Sequence, residues 1–279
     1  MLLVDKPAGV TSHDVVAVAR RALGTRRIGH AGTLDPFATG LLVLLLGRGT
    51  RLLPYIEGEP KVYEASIRFG AETSTDDPTG EVVREAAPPT SDAVRHAIET
   101  LTGPIDQRPP AYSAKQVGGT RAYAAARRGV PLDLSAVRVV VHDWTVRTQT
   151  LGTLEATITC SGGTYIRALA RDLGRAAGSA AHLVALRRTR SGVFDVVDAV
   201  TLRQLQEGAH AVRGLRAAIP TMPVQPLTDD ELRRVLHGNA VPARVPAPVV
   251  ALLDPSENLV ALARREGESL CPRVVLRDA

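Results

Sequence analysis

The chain is 279 residues long, 44% hydrophobic and 23% charged, with a formal net charge of +5. That composition excludes a disordered or fibrous chain, and the length accommodates one large domain or two unequal ones. Two cysteines, Cys160 and Cys271, exclude a disulfide framework or a zinc site. Asp5 and Lys6 stand where a signal peptide would need an apolar run, and the apolar run 41–46 is too short to span a bilayer. The expectation is a soluble cytoplasmic protein in a reduced compartment, with no membrane association. Arginine is used 31 times and lysine three times. A genome that favours Arg codons explains that ratio, whereas the pI of about 9.6 points to an anionic partner. Residues 221–279 carry a net charge of −1 and residues 1–220 a net charge of +6, so an anionic partner belongs on the larger part.

In chain order, 2–5 reads as a short apolar strand ended by the turn signal Lys6-Pro7-Ala8-Gly9. Thr11 or Ser12 caps a helix to about Leu23, with Val15, Val16, Val18 and Ala19 on its apolar face. Residues 24–40 read as a loop punctuated by Gly and Pro, and 40–46 as a strand buried on both faces. Residues 61–70 alternate, with Tyr63, Ala65, Ile67 and Phe69 on one face. A capped helix is expected at 91–101, a polar and basic segment at 108–129 with a short helix near 122–128, and strands at 137–146 and 153–160. An Arg-rich helix follows an extended start at Tyr165, then a short strand at 184–186 and a helix at 201–206. Three prolines within 219–226 read as a linker. Beyond it stand a helix at 229–236 and strands around 249–253, 259–263 and 273–276. Strands and helices mix without regular βαβ alternation, which gives an α+β fold with a mainly antiparallel sheet. The expected division is 1–220 and a small β-rich appendix at 221–279.

The stretch GHAGTLDPFATG at 29–40 carries the most chemical information. Pro36 biases Asp35 toward an extended conformation, and the glycines admit close backbone approach by a ligand. Asp35 is a candidate nucleophile or base and His30 a candidate acid, base or stacking group. An Asx-type turn at Asp-Pro and a surface histidine account for the same residues. The stretch lacks the Walker spacing, and one His and one Asp do not make a metal site. At 161–169, Tyr165 and Arg167 are two apart, which puts both side chains on one face of extended backbone. An arginine there holds a nearby carboxylate ionised. The plainer readings are a surface Arg at a helix start and, for Tyr63, an ordinary core residue.

Asp5-Lys6-Pro7-Ala8-Gly9, GHAGTLDPFATG at 29–40, Lys61-Val62-Tyr63, GGTYIRALARDLG at 162–174 and His182-Leu183-Val184-Ala185-Leu186-Arg187-Arg188 follow one another in an order that resembles TruB-type tRNA pseudouridine synthases. Gly80, the stretch 73–77 and the stretch 110–115 resemble the same family, and the likeness covers about residues 2–200. The resemblance implies a pseudouridine synthase catalytic fold acting on uridine 55 in the T loop of tRNA. It implies Asp35 as the catalytic aspartate and His30 as the histidine that helps open the T loop. Tyr63 matches the tyrosine that stacks on the flipped uracil, and Arg167 the arginine that pairs with the catalytic carboxylate. Tyr165 matches the tyrosine near the reacting ring, Leu186 the apolar pocket wall, and Lys6 a lysine near the base of the loop. Residues of about 108–130 resemble the thumb segment that closes on RNA. Residues 221–279 resemble the PUA-like RNA-binding domain only loosely, around 227–232 and Gly238.

The reaction breaks C1′–N1, turns the uracil and joins C1′ to C5, so it needs no redox change, group donor, metal or cofactor. A single carboxylate is chemically sufficient. The target base must leave its stack, which costs a few kcal/mol, and an aromatic face such as Tyr63 returns about 1–3 kcal/mol. The partner is therefore the tRNA T arm and loop, with the protein acting as a monomer without guide RNA. A non-enzymatic RNA-binding or tRNA-folding protein is the alternative from another class, and the two roles are compatible. A guide-RNA-dependent synthase would need a fuller C-terminal domain. A generic hydrolase using His30 and Asp35 lacks a second carboxylate or a triad partner.

Overall fold

A computed structural model of the chain describes all residues except 113–115, 118–119, 122–124, 126–131, 133, 209–210 and 277–279. Most of the expected 108–130 segment, with its short helix, lies outside the described residues. The chain divides into two compact units. One comprises residues 1–36, 41–57 and 196–279, the other residues 37–40 and 58–195.

In the first unit, strand Leu2–Lys6 pairs in parallel with Val200–Thr201. Helix Ser12–Ala22 starts where expected: the Thr11 side chain accepts from the Asp14 N–H, and the Asp14 carboxylate accepts from the Thr11 N–H. Its face of Val15, Val16, Val18 and Ala19 packs in one core with Leu2, Val4, Ile28, Leu42, Leu44 and Leu205. The expected loop at 24–40 contains a strand, Ile28–Ala31, which pairs antiparallel with Leu46 back to Val43. The motif at 29–40 is thus a hairpin, with Asp35 in the connection before strand Thr39–Leu46.

Helix Asp229–Leu236 and a separate five-stranded sheet complete that unit, in the order Val224–Pro226, Val249–Leu253, Leu259–Glu266, Ser269–Val275, Val241–Pro242. The expected linker at 219–226 therefore ends in a strand. Val224–Pro226 stands at the sheet edge, where a proline removes no ladder bond. Leu227, Val235, Val250, Leu252, Val260 and Leu270 form the local core.

In the second unit, strand Lys61–Phe69 lies between Thr153–Cys160 and Ala181–Ser191, antiparallel to both. Val137–Gln149 pairs next to Thr153–Cys160, and Gly103–Gln107 next to Val137–Gln149. Thr39 and Gly40 pair in parallel with Arg187 and Arg188. Mostly antiparallel pairing with a few parallel contacts is the mixed α+β sheet expected from sequence. Tyr63, Ala65, Ile67 and Phe69 are all buried, as their alternation requires. Helix Ser91–Thr100 is capped by Thr90, and helix Ile166–Ala176 follows Tyr165. Among the described residues, no helix is long and apolar enough to cross a membrane.

Candidate active site

The hairpin tip is pinned on both sides of Asp35. Lys6, fully buried, directs its ammonium to the carbonyl oxygens of Pro7 (2.9 Å), Val10 (2.8 Å) and Pro36 (3.2 Å). The Gly9 N–H also donates to the Pro36 carbonyl at 2.8 Å. On the other side, the Leu34 N–H donates to Ser12 Oγ at 2.9 Å, and that hydroxyl donates to the Leu34 carbonyl at 3.2 Å. Asp35 is half-buried between these anchors. A buried cation held by backbone oxygens fixes a loop more firmly than a neutral donor would. His30 is half-buried in its strand, opposite Leu44, and meets His13 edge to face at 5.7 Å.

The second unit positions Tyr63, Tyr165, Arg167 and Leu186. Tyr63 lies on the buried face of its strand, in register with Ile158 and Arg188. Leu186 is buried opposite Ala65, and its carbonyl accepts from Thr39 Oγ1 at 3.5 Å. Gly40 here has φ +102°, and a side chain on it would meet the Arg188 carbonyl oxygen at 2.2 Å, so only glycine fits. Tyr165 ends the extended segment and Arg167 is the second residue of the helix. The pair therefore does not share a face of extended backbone, since helical residues two apart point in different directions. The fully buried Gln107 fixes Tyr165: its side-chain oxygen accepts from the Tyr165 N–H at 2.8 Å and its amide donates to the Tyr165 carbonyl at 3.1 Å.

Arg167 is 4% exposed, which removes the surface reading. Its Nη1 donates to the Thr75 carbonyl at 2.9 Å and lies 3.3 Å from Asp77 Oδ2, while Nη2 donates to the Tyr112 carbonyl at 2.8 Å. Asp77 Oδ1 accepts from Thr75 Oγ1 (2.6 Å), the Thr79 N–H (3.0 Å) and Thr79 Oγ1 (2.6 Å). The turn is tight: a side chain on Gly80 would meet the Thr75 nitrogen at 2.7 Å. Two further arginines follow at helical spacing. Arg171 pairs with Asp76 at 2.9 Å and Arg175 with Glu72 at 2.6 Å. Burial pushes the Asp76 carboxyl up, against the pull of Arg171 and Arg167. Burial also acts to raise Glu72, but hydrogen bonds from Arg175 and Arg84 outweigh it and hold that carboxyl down. Sequence reasoning missed Ser12, Gln107 and the Arg171–Asp76 pair. Only the pair had a legible signal, the arginine spacing 167, 171, 175 facing an acidic cluster at 72–77.

The family described as TruB family pseudouridylate synthase (N terminal domain) matches residues 20–166. The chain belongs to this family. Two C-terminal families also match: tRNA pseudouridylate synthase B C-terminal domain over residues 167–239, and tRNA Pseudouridine synthase II, C terminal, over residues 222–277. The chain is 46% identical over 285 residues to the tRNA pseudouridine synthase B of Thermobifida fusca, covering 99% of this chain and 97% of that one. It is 45% identical to the protein of the same name from Arthrobacter sp. strain FB24, covering 99% and 95%. Among solved structures, a chain of a Cbf5-Nop10-Gar1 complex superposes with a TM-score of 0.73 at 25% identity, covering 99% of this chain and 84% of that one. A chain of an H/ACA RNP bound to a substrate RNA has the same fold, with a TM-score of 0.72 at 23% identity. This TruB-family chain is a pseudouridine synthase with the α+β pseudouridine synthase fold.

Proposed function

We propose that the enzyme converts uridine 55 in the T loop of tRNA to pseudouridine. It acts on bare tRNA, without guide RNA, metal or cofactor, as a cytoplasmic monomer. The names of the curated relatives, matched over nearly their whole length, support the substrate. The observation that carries the site is the hairpin tip held by Lys6 and Ser12 on either side of Asp35. A carboxylate that must act on one bond of a flipped nucleotide needs a loop that does not yield.

In this reading Asp35 assists cleavage of C1′–N1. N1 gains a proton, the uracil turns, C1′ bonds to C5, and the C5 proton leaves to water. Electrons balance without a redox partner. Arg167 supplies the cation such a carboxylate needs to stay ionised away from water. Tyr63 stacks on the displaced uracil, Tyr165 borders the reacting ring and Leu186 is the apolar wall. His30 supports the opened loop, and Lys6 holds the base of the hairpin. Residues 1–220 form the catalytic part. Residues 221–279 form a PUA-like appendage, supported by their own sheet and core. Assistance to tRNA folding uses the same surface without Asp35.

Purified protein in EDTA is incubated with an unmodified tRNA transcript, and the product is mapped for pseudouridine. The expected outcome is one modification, at position 55. Modification elsewhere, or none without an added RNA or protein, would overturn the reading.

A further inference from the structure

We propose that Arg171 and Asp76 are positioning residues for pseudouridine formation, which act by fixing where Arg167 points. The inference rests on Arg167 being a site residue, as proposed above. Asp76 has φ +59°, in the left-handed region that side chains rarely adopt. It lies between Thr75, whose carbonyl accepts from Arg167, and Asp77, whose carboxylate faces Arg167. The backbone at Asp76 therefore sets the direction of both acceptors of Arg167 Nη1.

The strained residue is held from two sides. Its carboxylate Oδ2 accepts from Arg171 Nη1 at 2.9 Å in a buried setting, and its carbonyl accepts from the Leu183 N–H at 3.2 Å. Strain of this kind persists only where its surroundings over-determine it. Arg171 spends its other donors on the same task. Nη2 donates to the Arg108 carbonyl at 2.9 Å and Nε to Asp172 Oδ1 at 2.9 Å. Arg167 Nη2 holds the Tyr112 carbonyl. Two arginines one helical turn apart thus grip the segment 108–112 at both ends while facing adjacent aspartates, 76 and 77. A lysine keeps the charge of Arg171 but cannot reproduce three directed contacts. Arg175, the third arginine of the row, is 55% exposed in its side chain and bonds Glu72, so it serves as the control.

The test uses full-length protein and a T-arm hairpin tritiated at C5 of the target uridine. Single-turnover release, hairpin Kd and Tm are measured for Arg171→Lys, Asp76→Asn, Asp76→Gly, Arg167→Lys and Arg175→Lys. Asp76→Asn removes the charge alone and Asp76→Gly removes the charge and the backbone strain together, so the difference between the two separates conformation from charge. The expected result is a release rate lowered by about 10- to 100-fold for Arg171→Lys and Asp76→Asn, with Kd within about threefold and the protein still folded at the assay temperature. Arg175→Lys stays within about twofold. Rates near wild type for the Arg171 and Asp76 variants, with Arg167→Lys slow, would overturn the inference alone. Rates that fall only in step with the folded fraction, or equally for Arg175→Lys, would make the row a structural brace and also overturn it. A normal rate for Arg167→Lys would instead overturn the reading of the site beneath it.

Discussion

Lys6 shows how one side chain fixes the course of a loop. Its ammonium is buried against three carbonyl oxygens, one of them next to Asp35. Lys6→Met would remove the ammonium from the Pro7 and Val10 carbonyls, at about 1–3 kcal/mol for each group left buried without a donor, while the Pro36 carbonyl keeps the Gly9 N–H. A lowered Tm together with a slower single-turnover rate is the expected outcome; an unchanged rate would detach Lys6 from the loop. Tyr63 makes a separable prediction. Tyr63→Phe keeps the ring and holds the rate, whereas Tyr63→Leu forfeits about 1–3 kcal/mol of stacking and slows release about 5- to 150-fold. Equal losses in both would mean that the hydroxyl rather than the ring matters. The burial of Tyr63 among Ala65, Ile67 and Phe69 was legible in the alternation of the strand. Ser12 and Gln107 were not, because a polar residue at a helix start or strand end has the same local pattern whether or not it holds a backbone far along the chain.

Most elements followed from their own signals: the Thr11, Thr90 and Thr228 caps each start a helix at the next residue. The strand Ile28–Ala31 escaped, because Gly29 and His30 break the apolar run and pairing with Leu45 and Leu44 supplies what local propensity lacks. Gly40→Ala combines a positive φ with a 2.2 Å approach to the Arg188 carbonyl, so urea unfolding should register a loss of about 2–6 kcal/mol. A loss below about 1 kcal/mol would contradict the strand contact. In helix Asp229–Leu236, the Arg244 hydrogen bond, against burial and with help from the Thr228 backbone, brings Glu231 from 4.5 to about 2. A folded value below the unfolded one stabilises fully above about pH 4.5, and that contribution fades as pH falls toward 2. The Tm gap between wild type and Glu231→Gln should therefore narrow from pH 6 to pH 3. A gap that does not change would contradict the pairing. Half of the Arg244 side chain faces solvent, so added salt should also shrink the gap.

For the whole molecule, composition and the mixture of strand and helix signals sufficed for an α+β fold with a mixed sheet. The assembly of distant segments did not follow from local pattern: Val200–Thr201 pairing with Leu2–Lys6 depends on residues almost 200 positions apart. Residues 1–220 hold the net positive charge, so they should carry the salt dependence of tRNA binding. Replacing Arg264 and Arg273 together by Gln should change the slope of log Kd against log salt by less than about one; a change near two would assign phosphate contacts to the C-terminal sheet. On the reading proposed above, Asp35, at its pinned hairpin tip, makes this chain a metal-free tRNA pseudouridine synthase. Wild type and Asp35→Asn are compared, in EDTA, for single-turnover tritium release from C5 of the target uridine and for binding of the same hairpin. Release by wild type alone, with Kd for the two proteins within about threefold, is the predicted result. Release by Asp35→Asn at the wild-type rate, or binding lost in parallel with release, would contradict it.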